Sequence, residues 1–234
     1  MVRAREAILA AILDDRIPNG KLPPEDELAV MLGVSRTTVR GALQSLEQHG
    51  VLTRTPGRGT TIHDRMSPSM VALQRLIGFT QLLAEQGHKV THEASWSTVT
   101  SQPTKAVEAL GLEPGQSCFM FDRLVLAGGL PAIWAIDYFP THVFARNPSA
   151  ADRVAESPFE LGRELLVESI NHAIVEIVPS LPSSHVQEKL SLRRTDPYLQ
   201  LHETHFGESG KPLGFSLIHV NDHFVRFQLM RRAD

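Results

Sequence analysis

Arg36, Thr37 and Arg40 fall within five residues and together suit one kind of chemistry. A guanidinium donates in a fixed fork that matches the O6 and N7 edge of guanine, and threonine adds a hydroxyl or methyl contact. Two arginines one helical turn apart, with a short hydroxyl between them, can enter a major groove if a helix carries them. Further along, Gly57-Arg58-Gly59 sets another arginine at a tight tip. This glycine doublet is a hairpin signal rather than a nucleotide loop. It lacks a third glycine or a Gly-Lys-Ser/Thr ending, and no helix follows it. Within 35–62 the basic residues are Arg36, Arg40, Arg54 and Arg58, opposed only by Glu47. Such a stretch points to a surface that faces phosphate.

The flanking sequence supplies the elements that must hold these groups. Ala4, Ala7, Ile8, Ala11 and Ile12 have helical spacing over 3–14, and Pro18-Asn19-Gly20 ends that segment. Pro23 and Pro24 precede Glu25, Asp26 and Glu27, which suits a helix N-terminus where amides lack partners and the dipole favours negative charge. Leu28 and Leu32 give this second helix its buried side, and Gly33 stops it. Ser35 caps a third helix that Gly50 closes, with Val39, Ala42, Leu43 and Leu46 forming one apolar stripe. Arg36, Thr37, Arg40 and Gln44 lie opposite. Val51 to Arg54 and Thr60 to Ile62 then read as two strands of a ribbon with Arg58 at its apex.

The whole chain limits what these parts can belong to. Its 234 residues fit one or two domains, and 42% hydrophobic residues suffice for a packed core. One cysteine excludes a disulfide framework and any zinc site built on several thiolates. A net charge of −3 and a pI near 6.4 argue against a coating, non-specific binder of nucleic acid. Residues 1–65 carry nine Lys/Arg against eight Asp/Glu, the remainder fourteen against eighteen, so the basic stretch sits on an otherwise acidic protein. Arg3, Arg5 and Glu6 open an amphipathic pattern rather than a leader, and no apolar run approaches a membrane span. The expected location is the cytoplasm.

Helix, helix, recognition helix and hairpin describe a winged helix-turn-helix, mainly α with a β-hairpin wing. Leu22-Pro23, Glu25, Glu27-Leu28-Ala29, Gly33-Val34-Ser35-Arg36, Thr38-Val39-Arg40, Ala42-Leu43, Leu46, Gly50 and Gly57-Arg58-Gly59-Thr60 resemble the GntR family of bacterial transcription regulators. The resemblance spans nearly all of 5–63. It implies that Arg36, Thr37, Thr38 and Arg40 begin the recognition helix, and that Arg58 and Gly59, with Thr60 beside them, enter the minor groove. One departure stands out. Many relatives have Ser-Glu-Arg at the second-helix start, the arginine touching DNA, where this chain has Pro24-Glu25-Asp26. Asp26 would repel phosphate, so that contact is expected to be absent.

Residues 64–69 read as a linker between a DNA-binding domain at 1–63 and a second domain at 70–234. Residues 70–84 have helical period, and 103–110 and 158–167 read as helices. Ser184 to Gln187 has capping-box spacing for another. Strands are expected at 94–100, 118–126, 131–138, 170–178, 198–206 and 212–220, with a last run at 224–230. Gly128-Gly129 and Ser209-Gly210 mark hairpin turns. This is an α+β domain on an antiparallel sheet.

Phe121 to Pro140, Gly210-Lys211-Pro212-Leu213 with Ser216, Leu110-Gly111 and Ser157-Pro158-Phe159 resemble the UTRA ligand-binding domain of the HutC-type branch. The resemblance implies a chorismate-lyase-like fold, an effector pocket on the sheet and a homodimer. Members that bind sugar phosphates tend to have two arginines two apart, then a glutamate. Here those positions hold Arg123, Val125 and Ala135, and a later polar position falls on Gly214. Thr91, Arg123, Ser157, Phe159 and Ser216 remain as effector-binding candidates. Arg123 is the group for an anionic end, so that Arg123→Ala would keep DNA binding and dimerisation and lose the response. Loss of the other polar partners favours a larger or less polar ligand over a phosphosugar.

Other residues have plainer roles. Arg123 could instead pair with a neighbouring carboxylate on its sheet. Cys118 lies among apolar strand residues and reads as a buried, inert thiol. His202 and His205 are three apart on a strand, so they point to opposite faces and cannot share an ion. His219 and His223 straddle a strand end and make a poor metal pair. No metal, cofactor or catalytic residue is implied: Gly-x-Ser-x-Gly and a carboxylate dyad are both missing. The expected function is a ligand-responsive repressor on a palindromic operator. The alternatives are a lyase-like enzyme with a DNA-binding tether and an effector-independent DNA-binding dimer.

Overall fold

Gly33 ends the second helix as its position demands, with φ +63° in the left-handed region. The computed structural model describes residues 2–13, 17, 20–48, 51–55, 57–62, 78–146, 148, 157–225 and 227. The chain divides into two units, one built on its first 74 residues and one on residues 75–226. The linker expected at 64–69 lies outside the described residues, as do Gly50, Pro56, residues 70–77, and Arg226 and 228–230 of the last expected run.

The first unit starts with α1 (Val2–Leu13), α2 (Glu25–Leu32) and α3 (Arg36–Gln48). Ser35 Oγ accepts the Thr38 amide at 3.1 Å, satisfying a donor that the first turn of α3 leaves open. Val39, Ala42, Leu43 and Leu46 form the stripe expected of α3 and are buried against Ala4 and Ile8 of α1 and Leu28 of α2. The wing is β2 (Leu52–Thr55) paired with β3 (Gly59–Ile62). A further strand, β1 (Lys21–Leu22), adds to the other side of β3. Two residues are too few to show alternation, so no sequence pattern announces it. Gly59 has φ +92°, and a Cβ there would lie 2.9 Å from Lys21 Cε, so both backbone and space call for glycine.

The second unit is one six-stranded antiparallel sheet. Its elements are α4 (Phe79–Glu85), β4 (Val90–Val99), α5 (Thr104–Leu110), β5 (Cys118–Ala127), β6 (Leu130–Pro140), α6 (Pro158–Leu165), β7 (Ile170–Ser180), α7 (Ser184–Leu190), β8 (Tyr198–Gly207) and β9 (Pro212–Val220). The strand order is β4-β5-β6-β9-β8-β7. Two copies of a strand–helix–hairpin unit thus meet along β6 and β9. Leu110-Gly111-Leu112 after α5 recurs as Leu190-Ser191-Leu192 after α7, and Ser191 takes the left-handed φ of +54° beside Gly111 at +60°. Arg123 on β5 and Glu203 on β8 hold equivalent places in the two copies.

Alternation gives the sheet two different faces. Residues of α5 pack with Cys118, Tyr138 and Phe215, and those of α7 with Trp134 and Tyr198, on one side. Phe119, Phe121 and Phe139 pack with Leu165 of α6 on the other. Two local expectations are corrected. The cap of α7 is Ser183, whose Oγ accepts from the Val186 amide at 3.4 Å, not Ser184. Phe224 and Val225 are not in a strand, because Asn221 turns the chain by accepting the Phe224 and Val225 amides through its carbonyl.

Candidate DNA interface and effector site

In the first unit Arg36 and Arg40 stand at the start of α3 with their side chains 58% exposed, on the face away from the buried stripe. Thr37 and Thr38 share that exposed turn, and Thr38 Oγ1 lies 2.8 Å from Ser35 Oγ. Arg58 and Gly59 are exposed at the wing tip, with Thr60 beside them half-buried. These wing residues line an open cleft of about 920 Å³ together with Pro24, Glu25 and Arg54. The DNA-binding candidates therefore fall into two groups on one unit, one on α3 and one on the wing.

Glu25, on the first turn of α2, reaches across this surface. Its Oε2 accepts from Arg40 Nε at 3.2 Å and Nη2 at 3.1 Å, and lies 3.6 Å from Arg36 Nε. Its Oε1 accepts from Arg54 Nη2. Burial raises the Glu25 carboxyl. The hydrogen bond and charge of Arg40, then the charge of Arg54 and the bond to Arg36, outweigh that and hold it below its ordinary range. Asp26 Oδ1 pairs with Arg36 Nη1 at 3.1 Å, so its charge is matched rather than set against phosphate. Glu47, the acid that sequence opposes to the arginines, instead accepts the Arg54 backbone amide at 2.9 Å and pins the wing to α3.

In the second unit the strand register places Phe121, Asp137, Ser216 and Glu203 in one row across β5, β6, β9 and β8. Arg123 and His205 sit one step to either side on the same face. Arg123 donates from Nε at 2.8 Å and Nη2 at 2.7 Å to Asp137 Oδ2. Asp137 is fully buried and Arg123 is 8% exposed, so the neighbouring-carboxylate alternative describes what this guanidinium does. Ser216 gives its proton to Asp137 Oδ1 at 2.5 Å. The 2.7 Å contact between Ser216 Oγ and His205 Nε2 must then be donated by the imidazole, because a hydroxyl has one proton. His205 is therefore the Nε2–H tautomer, and its Nδ1 is a bare acceptor.

That acceptor is buried with no hydrogen-bond partner among the described residues, and Glu203 Oε1 is 4.0 Å away. Burial, and then the charge of Arg123, push the His205 imidazole down to about 3, which keeps it neutral. Burial, and then the charge of Asp137, push Glu203 up to about 7, with Arg123 partly opposing them. The His205 ring stacks on Phe139 at 5.9 Å and meets the edge of Phe159 at 5.4 Å. Gly214 makes room for this, since a Cβ there would lie 2.3 Å from Phe139 Cε1.

Of the five effector candidates, Arg123 and Ser216 are joined through Asp137, and Phe159 touches the cluster through His205. Ser157 precedes α6 and is packed beside Gly78. Thr91 is set elsewhere: it pairs with Leu126 on β5, on the face opposite Arg123, and is exposed. Asp137, Glu203 and His205 were not singled out as site residues from sequence. The only signal was a charged residue on the apolar-facing phase of each strand. Burial also pushes the Cys118 thiol up to about 11, against a nucleophile. His219 stacks on Trp134 at 4.6 Å and bonds Tyr198 Oη at 3.1 Å. Among the described residues no helix is long and apolar enough to cross a membrane.

A winged helix with exposed arginines and a sheet enclosing a polar row define a two-part class: a DNA-reading unit joined to a ligand-binding one. Residues 2–62 match the family model for bacterial regulatory proteins of the gntR family, and residues 85–224 match the UTRA domain. The chain belongs to the GntR family and carries a UTRA domain. It is 30% identical to the HTH-type transcriptional regulator Rv0792c of Mycobacterium tuberculosis, over 96% of this chain and 82% of that protein. It is 27% identical to the HTH-type transcriptional repressor NagR of Bacillus subtilis, over 82% and 78%. YydK from Bacillus subtilis shares the fold, with a TM-score of 0.74 at 20% identity over 99% of this chain and all of that one. The protein is a ligand-responsive transcriptional regulator that binds DNA, not an enzyme.

Proposed function

We propose that the protein is a homodimeric, cytoplasmic repressor of the HutC-type branch, released from a palindromic operator by a small-molecule effector. Residues 1–63 bind DNA, 64–69 link, and 70–234 bind effector and dimerise. The observation that carries this reading is the exposed N-terminal face of α3, where Arg36, Thr37, Thr38 and Arg40 stand together clear of the core. Arg58, Gly59 and Thr60 on the wing take the adjacent minor groove. The name of the relative NagR supports repression, and the exposed Ile174 and Ile177 on edge strand β7 support association through the second unit. A two-fold dimer presents two equivalent recognition helices, hence a palindrome.

The effector binds at the Asp137–Ser216–His205–Glu203 row. Arg123 is held by Asp137, so the group that calls for a ligand is His205 Nδ1, which needs an N–H or O–H donor. Ser157 and Phe159 at the start of α6 border the ligand, and Thr91 has no part in it.

The test uses the full-length protein and the duplex it selects from a random library. Arg36→Ala is expected to cost about 1–3 kcal/mol and to relax base preference at one position. Arg40→Ala should weaken all sequences alike and shrink the salt slope by less than one, because Glu25 already matches part of its charge. Unchanged binding in both variants would overturn the DNA assignment. For the effector, thermal shifts with a panel of sugars, amino sugars, amino acids and their phosphate esters identify a binder. Ser216→Ala and Phe159→Ala should each weaken that binder about tenfold, which corresponds to ~1.4 kcal/mol. A binder indifferent to both variants sits elsewhere.

A further inference from the structure

Three of the four arginines in the basic stretch converge on one carboxylate. Glu25 is only 17% exposed, while the Arg36 and Arg40 side chains it touches are each 58% exposed. Glu25 is thus set behind the arginines, with their outer surfaces left toward solvent. Arg40 spends Nε and Nη2 on Glu25, and its Nη1 has no partner among the described residues. Arg36 divides itself between Glu25 and Asp26. Arg54 binds the other oxygen of the same carboxylate.

A carboxylate in that place has the chemistry of a DNA phosphate: an anionic acceptor that takes arginine forks. Binding to arbitrary DNA is driven by arginines that move to phosphates and release counterions. Arginines already matched by Glu25 gain little by such a move, because one anionic oxygen replaces another. Reading a guanine edge is different. An arginine held from behind keeps one orientation and can present its remaining N–H groups to a base without leaving the carboxylate, so less rotamer freedom is lost on binding.

We propose that Glu25 is a built-in competitor for the DNA-reading arginines, a positioning residue that sets how strongly the protein prefers its operator over other DNA. The proposal rests on DNA recognition by α3, which Arg36→Ala tests separately. Glu25 weakens binding to phosphate alone and leaves binding to the right base edge nearly intact.

The experiment compares Glu25→Gln with wild type, in the full chain, on the library-selected duplex and on a scrambled duplex of the same composition. Affinities are measured by fluorescence anisotropy from 50 to 300 mM NaCl. The scrambled duplex should bind about tenfold tighter at the low-salt end, its log–log salt slope should steepen by about one, and the selected-to-scrambled ratio should fall about tenfold. Glu27→Gln is the control. It removes a charge from the same turn of α2, and Glu27 is exposed with no ion pair among the described residues. Its ratio should stay within twofold of wild type. An equal loss on both duplexes would mean that Glu25 only supports the fold, and overturns the proposal. So does a change in ratio no larger than that of Glu27→Gln. Should Glu25→Gln lower the melting temperature, Glu25→Asp keeps the charge one methylene short of the arginines and should show the same directions at smaller size. A cycle with Arg40→Ala must show the Glu25 effect shrinking when Arg40 is gone.

Discussion

Arg123→Ala is expected to destabilise the UTRA unit by about 3–5 kcal/mol rather than act silently on effector response. The reason is the partner left behind. Asp137 is fully buried, and without the guanidinium its charge keeps, among the described residues, the Ser216 hydroxyl alone. The cost is that of an uncompensated buried anion, and it exceeds the net worth of the pair. Both tryptophans of the chain, Trp96 and Trp134, lie in this unit, so urea unfolding followed by tryptophan fluorescence reports on it alone. The paired variant Arg123→Met/Asp137→Leu removes both charges at similar volume and should recover most of the loss. A loss below about 1 kcal/mol in Arg123→Ala would mean that the pair is solvated and its burial unimportant. Arg123→Ala is consequently a poor probe of effector binding, and Ser216→Ala and Phe159→Ala serve better.

The second large effect is in pH. Glu203, pushed up to about 7, holds a proton in the folded state that the unfolded chain releases above its ordinary value of 4.5. Its contribution is fully present below 4.5 and is lost as pH rises through 7. His205 and His219, pushed down to about 3 and about 4, act in the opposite direction. Both stay neutral when folded while the unfolded chain takes up protons below 6.5. Their contribution is present above 6.5 and lost as pH falls through 4 and 3. Between pH 5 and 6.5 the two histidines outweigh Glu203, so stability of the unit should rise over that range and stay level from there to pH 8, where the last of the Glu203 loss offsets the last of the histidine gain. Glu203→Gln removes the loss that Glu203 accumulates between 4.5 and 7 and should be more stable than wild type at pH 8, by about 3 kcal/mol at ~1.4 kcal/mol per pKa unit. Chemical denaturation at pH 5, 6.5 and 8 measures this. A wild type as stable at pH 5 as at 6.5, or no gain in the variant at pH 8, would sink it.

The sequence by itself determined the local elements of this protein. Ser35 and Gly33 act within a few residues of themselves, and the stripe from Val39 to Leu46 repeats at the helical period, so α2 and α3 are legible without any partner. The strands of the second unit were legible for the same reason: alternation and the Gly128-Gly129 turn are short-range. The arginines of α3 were legible because their types and spacing already define a chemistry. What only the tertiary structure decided is which distant groups meet. Glu25 reaches Arg36, Arg40 and Arg54 because α2 packs across α3 and the wing, and a count of charges along the chain assigned Glu47 to that role instead. Asp137 meets Ser216 because β6 pairs with β9, two strands far apart in sequence whose adjacency no local pattern encodes. Alternation fixes which face a side chain takes, whereas strand order and register fix its neighbours, and those follow from the packing of the whole sheet.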